Sequence, residues 1–225
     1  VAESMYEDSI IVPVGNLEAS VGSMIDCEFL HNYKDATLGI LYNKSMTWAP
    51  DLSTRKDTTS FILLSLDLGT GASTPILNVE NLPYDLYQIK PLKSPLNGVL
   101  LVGANELLHV DNSGNVKGCG LNSFWSECTD LKLNDPSFLE LQLEDCQLEQ
   151  LNDGNVVIID QTGKFYQVQF ALDGKQIKNV NVFPIAGLDI LALHTLGITV
   201  FDDYIFLANG SSNSLLLKRT ETTET

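Results

Sequence analysis

The sequence predicts an all-β chain, part of a β-propeller in which about four blades are represented. Three observations carry this expectation. Apolar residues come in short runs, either alternating or wholly apolar. Tight polar turns divide the runs. A run–turn–run unit recurs at a long spacing along the chain.

In chain order, Ala36–Tyr42 and Ser60–Leu68 are the first clear strands, with the loop Asn43–Thr58 between them. Gly98–Gly103 and Glu106–Val110 follow as a close pair. Asn155–Asp160 places Val156, Val157, Ile158 and Ile159 in succession, the mark of a strand buried on both faces. Gly163–Leu172 mixes Phe165, Val168 and Phe170 with polar neighbours, and Tyr204–Ala208 and Ser214–Leu217 complete the series. The turns are Ser113-Gly114, Asp153-Gly154, Thr162-Gly163, Asp173-Gly174 and Asn209-Gly210. In Leu139–Leu151, Leu139, Leu141 and Leu143 alternate by two, which predicts another strand.

With first strands of the unit placed at Thr37, Gly98, Asn155 and Tyr204, the steps are 61, 57 and 49 residues. Blades recur every ~40–50 residues, and loop insertions lengthen the step. Each blade must stack on neighbours to bury its faces, so residues beyond this stretch are expected to complete the ring. The competing architecture is a β-sandwich of similar strand number.

Composition narrows the function. The 225 residues are 44 % hydrophobic and 19 % charged, which suits a packed core and not a disordered chain. Acidic residues number 29 against 13 basic ones, a net charge of −16. Phosphate backbones are bound by clustered Lys and Arg, and the richest basic spots are the pairs Arg55-Lys56 and Lys218-Arg219. The segment is therefore not expected to be a main nucleic-acid contact. No apolar run reaches the ~18 residues of a membrane-spanning helix. The opening Val1 and the polar string Thr220–Thr225 read as cut or flexible ends.

Catalytic and metal motifs are not evident. Cys27, Cys119, Cys128 and Cys146 have no CxxC spacing and only three histidines accompany them, so neither metal nor cofactor is expected. All four thiols read as reduced, with Cys27 and Cys146 as small core residues. His31, His109 and His194 lie in or beside strands, where a lone histidine is packed or solvent-facing. Asp111–Asn115 resembles a calcium loop only faintly and reads as a hairpin turn. Glu140, Glu144, Asp145 and Glu149 could supply a glycosidase pair, but Glu144 and Asp145 would face opposite sides of a strand. The loop Asn43–Thr58 stands out: Trp48, Arg55 and Lys56 have the composition of a partner-binding hot spot. The alternative has Trp48 tucked beneath its own loop, and Trp125 carries the same two readings.

Longer stretches carry a family resemblance. Pro95–Val110 followed by Gly118-Cys-Gly-Leu-Asn-Ser123, Ala36–Tyr42 leading to Met46-Thr-Trp-Ala49 and Arg55–Thr58, and Phe206–Lys218 resemble the large subunit of the cleavage and polyadenylation specificity factor. The match runs in order from about Met24 to Thr220 and fits poorly at Ser126–Ser137. Relatives in the same superfamily are the large damaged-DNA-binding protein of ubiquitin ligases and the third subunit of splicing factor 3b. The resemblance implies a seven-bladed, WD40-like propeller in a multi-propeller chain, with this segment as the later part of the first propeller. It implies a nuclear, non-catalytic scaffold for pre-mRNA 3′-end processing. A WD-repeat subunit and a zinc-finger subunit would be its partners, and RNA would be read mainly through them. A sibling adaptor of a ubiquitin ligase or splicing complex is the first alternative, and a propeller glycosidase the second.

Overall fold

Fifteen strands account for about half of the described residues, and antiparallel neighbours in sequence are neighbours in space. The structure, a computed structural model, describes residues 11–135, 139–174, 176–185 and 194–220. A short helix α1 (Val14–Leu17) precedes β1 (Ser23–Phe29), β2 (Ala36–Asn43), β3 (Thr59–Asp67) and β4 (Ala72–Leu82), which form the first sheet. The second sheet holds β5 (Leu86–Pro91), β6 (Val99–Gly103), β7 (Glu106–Val110) and β8 (Val116–Gly120). After α2 (Trp125–Cys128), the third comprises β9 (Gln147–Gln150), β10 (Val156–Ile159), β11 (Phe165–Asp173) and β12 (Gln176–Pro184). The last has β13 (Thr195–Phe201), β14 (Tyr204–Asn209) and β15 (Leu215–Lys218).

Four apolar clusters alternate with the four sheets. Leu41, Phe61 and Leu63 of the first sheet meet Val99, Leu101 and Leu108 of the second. Leu100, Val102 and Leu107, on the opposite face of the second, meet Val156, Ile158 and Val168 of the third. Val157, Ile159 and Phe165 then meet Leu207, Ile198 and Ile205 of the last. The sheets therefore lie in a row, each packed face to face on the next, as consecutive propeller blades do. Two sheets closing on one shared core, as in a sandwich, would not give this alternation. Each fully buried Leu or Ile at these seams contributes about 1.5–3 kcal/mol relative to exposure.

The recurring run–turn–run unit is the central pair of strands in each four-stranded sheet, and β14 with β15 in the last. Thr37, Gly98, Asn155 and Tyr204 lie in or immediately before β2, β6, β10 and β14, the second strand of every sheet. Central strands are buried on both faces and carry unbroken apolar runs; β6 and β7 are buried at every position. The strands to either side mix exposed and half-buried positions, as β1 and β4 do, and their pattern is weaker.

Three local expectations need correction. Leu139–Leu151 is a ladder strand only over Gln147–Gln150. Leu139, Leu141 and Leu143 are buried as their alternation implies. Their backbone bonds leave the sheet, however, with Leu141 N donating to Leu121 O and Leu143 N to Ala104 O. Glu144 and Asp145 occupy a turn, with Asp145 at φ +58, and not opposite faces of a strand. Cys27 is exposed on β1, because β1 is an outer strand; Cys119, Cys128 and Cys146 are buried, and all four are free thiols. Residues 1, 136, 137 and 221–225 of the segments singled out above lie outside the described residues.

Candidate functional site

In a meander the chain reverses at every strand, so alternate connections emerge at the same end. The β2–β3 loop, the β4–β5 link, the β6–β7 turn and the connection after β8 share one rim of the first two sheets. Side-chain bonds tie this rim together: Lys56 Nζ donates to Ser126 O at 3.2 Å and Thr129 Oγ1 to Asp57 at 2.6 Å. At the opposite rim, Asn32 Nδ2 donates to Asn97 at 2.7 Å and the Tyr33 hydroxyl to Asn112 at 3.0 Å.

The β2–β3 loop is internally stapled. Pro50 lies in the 3-10 turn Ala49–Asp51, Asp51 O accepts from Thr54 N and Arg55 N, both at 2.9 Å, and Thr47 Oγ1 donates to Arg55 O at 2.9 Å. That bracing holds Trp48 outward at 67 % exposure, with Met46 at 71 %. Trp48 is thus not the core of its own loop. Arg55 also faces out, 3.9 Å from Asp51. Lys56 differs: its side chain is 17 % exposed and reaches Asp130 at 3.5 Å, so it clamps the neighbouring loop. Beside it the β8–β9 connection exposes Phe124 at 62 %. Trp125 is half-buried over Gly120, where a Cβ would come within 2.2 Å of the indole, so only glycine allows this approach. The rim therefore presents Met46, Trp48, Arg55 and Phe124 on two joined loops. Exposed aromatics beside Arg are the make-up of a docking surface.

Beneath the rim lies a buried polar group that sequence reasoning missed. Asp85 from the β4–β5 link, Glu106 at the start of β7 and Cys128 at the end of α2 offer ligand atoms all within 4.8 Å of one another. Asn105 organises them, its Nδ2 donating to Asp85 Oδ2 at 2.9 Å and to Cys128 Sγ at 3.3 Å. Asn122 Nδ2 donates to Asn105 Oδ1 at 3.0 Å and to Leu141 O at 2.8 Å. Burial, with the Asp85 carboxyl alongside, pushes Glu106 up to about 10. Burial and the Asp85 charge push the Cys128 thiol up to about 11. The three residues are far apart in sequence, and only the stacking of β7 on the inter-sheet link and α2 joins them. The one available signal was a Glu opening a mostly apolar strand, Glu106-Leu-Leu-His-Val110.

The other candidates resolve simply. Glu140 and Glu144 are exposed and line a shallow depression with Asp160, Gln161 and Thr162, without the aromatic platform a sugar requires. Asp111 caps its own hairpin: Oδ1 accepts from Ser113 N at 2.8 Å and Asn115 N at 2.9 Å. His109 is buried, and its Nε2 lies 3.1 Å from Asn97 O, which fixes Nε2 as the protonated nitrogen. Among the described residues no helix is long and apolar enough to cross a membrane.

No protein-family profile matches the chain. Curated relatives do. The chain is 40 % identical over 221 residues to a protein named CFT1 from Debaryomyces hansenii, covering 95 % of this chain and 16 % of that protein. It is 38 % identical over 220 residues to Protein CFT1 of Candida albicans, covering 95 % and 16 %. It is 37 % identical over 205 residues to Protein cft1 of Schizosaccharomyces pombe, covering 89 % and 14 %. The chain spans about a sixth of the length of these relatives.

Proposed function

We infer the role of this chain from its family, that of the large subunit of the cleavage and polyadenylation specificity factor, to which it belongs. It is a non-catalytic scaffold segment of the nuclear machinery that cleaves and polyadenylates pre-mRNA. Its partners are a WD-repeat subunit and a zinc-finger subunit, and RNA is contacted mainly through them. The observation that carries this reading is sequence identity of 37–40 % to CFT1 proteins across nearly the whole chain. Two features support it: an acidic charge of −16 unsuited to direct phosphate binding, and blades whose loops are free to hold partners. The docking surface is the rim bearing Trp48, Arg55 and Phe124, with Lys56 holding its two loops in register.

The test is affinity purification of the full-length protein, wild type against Trp48→Ala/Phe124→Ala. The wild type is expected to bring down the polyadenylation machinery. The double variant should recover it with affinity weakened by more than about 1 kcal/mol, roughly fivefold, with thermal unfolding unchanged. Co-purification of a cullin ligase or a splicing particle without polyadenylation subunits would move the chain to a sibling adaptor. Undiminished recovery with the double variant would remove the rim from the interface while leaving the scaffold role.

A further inference from the structure

Glu106 has 0 % exposure, and no hydrogen-bond donor among the described residues reaches either of its carboxylate oxygens. Asp85 Oδ1 is buried in the same condition, while Asp85 Oδ2 is satisfied by Asn105. Gly103 leaves the space that Glu106 occupies: a Cβ there would come within 2.3 Å of Oε1. Lys56, on the same rim, is committed to Ser126 O and Asp130. An unpaired carboxylate away from water is costly, so something positive must offset this group.

We propose that Asp85, Glu106 and Cys128 form a structural zinc site that fastens the β8–β9 connection to the first two sheets. The alternative compensator is one proton shared between the two carboxyl groups, which lie within hydrogen-bonding reach. A shared proton satisfies one oxygen of each acid and leaves the second Glu106 oxygen unpaired. A divalent ion bound by both Glu106 oxygens, Asp85 Oδ1 and Cys128 Sγ satisfies all three orphans at once. The donor set selects the metal. Mg²⁺ and Ca²⁺ take oxygen ligands and do not suit a thiolate. Zinc accepts Cys sulfur with Asp or Glu oxygen.

The surrounding bonds match what a metal needs from its outer partners. Asn105 donates to a free oxygen of one ligand and to the sulfur of another, and Asn122 fixes Asn105 in turn. The Tyr84 hydroxyl stands 3.8 Å from the same sulfur. On binding, Cys128 Sγ gives up its proton and its weak 3.6 Å bond to Phe124 O. The shared carboxyl proton also leaves, and both pass to solvent. Two protons depart as one Zn²⁺ enters, so the buried charge is unchanged and no electron moves. The ligands come from the β4–β5 link, β7 and α2, so the ion would hold the Phe124 loop in place.

The experiment measures zinc by elemental analysis in the full-length chain, purified alone in chelator-free buffer. Wild type is compared with Cys128→Ser, Glu106→Gln and the exposed-thiol control Cys27→Ser. Cys128→Ser and Glu106→Gln are each expected to carry about one zinc less per chain than wild type and Cys27→Ser. Because either site variant could fold poorly, a zinc chelator is also added to wild type. It should lower the thermal midpoint, and added zinc should restore it. Equal zinc in all four proteins, or a wild-type midpoint indifferent to chelator, would overturn the site and leave the shared proton as the compensator. A raised midpoint in Glu106→Gln would have the same consequence.

Discussion

The two ends of the row of sheets are finished differently. The outer face of the first sheet carries Ile40, Tyr42, Ile62 and Leu64, all nearly fully buried, because Val14, Leu17 and Val21 fold back over them. Ser73 Oγ bonds Leu17 O and pins that cover to β4. The outward face of the last sheet has no such cover among the described residues. There Phe201, Tyr204, Phe206 and Leu216 are 73 %, 40 %, 46 % and 66 % exposed. Their pairing across β13, β14 and β15 puts Phe201 opposite Tyr204 and Phe206 opposite Leu216, so they share one face. The same alternation thus yields a buried face at one end and an apolar surface at the other. Burial at an end sheet is conferred by what packs on it, and not by the strand's own residues.

The strongest way to break this comparison is to truncate matching aromatics. Phe61 is 0 % exposed at the seam between the first two sheets, so Phe61→Ala should cost about 3–5 kcal/mol in chemical unfolding. Phe206→Ala, at 46 % exposure, should cost under about 1 kcal/mol. Equal losses in this chain would mean that the last face is covered after all.

A smaller effect tests the cover itself. Leu17→Ala removes part of an apolar layer that is itself only half-buried, for an expected loss of about 1–2 kcal/mol. Hydrogen exchange should quicken on β2 and β3 while β10 and β14 are unaffected. Quickening throughout would show that the four sheets open as one unit.

The smallest effect concerns pH at an inner seam. Burial lowers His109, outweighing the bond to Asn97 O and the Asp111 charge that raise it. The unfolded chain then takes up the proton first as pH falls through about 6.5. The contribution of neutral His109 is complete above that value and is lost on acidification. Thermal midpoints from pH 7 to 5 should fall more steeply in wild type than in His109→Gln, which keeps a donor for Asn97 O without a proton to gain. Parallel profiles would place His109 in water.

Local chemistry alone settled a good deal. Wholly apolar runs such as Val156–Ile159, and turns such as Asp153-Gly154, with Gly154 at φ +90, are decided within a few residues. The central strands, the long period and the hairpin at Asp111–Asn115 were therefore readable, as were the motifs that place the chain in its family. What the row of sheets decided was everything that depends on a neighbour. Outer strands such as β1 and β4 have mixed patterns because their environment changes along their length. Leu139–Leu143 alternates like a strand yet bonds outside the ladder, because a ladder needs a partner that sequence spacing does not name. Trp48 is exposed because its loop is braced, and Lys56 points inward because Ser126 and Asp130 stand beside it. Asp85, Glu106 and Cys128 meet only when β7, the inter-sheet link and α2 are stacked. Periodicity along a chain records which side of a strand is apolar; it does not record what that side will touch.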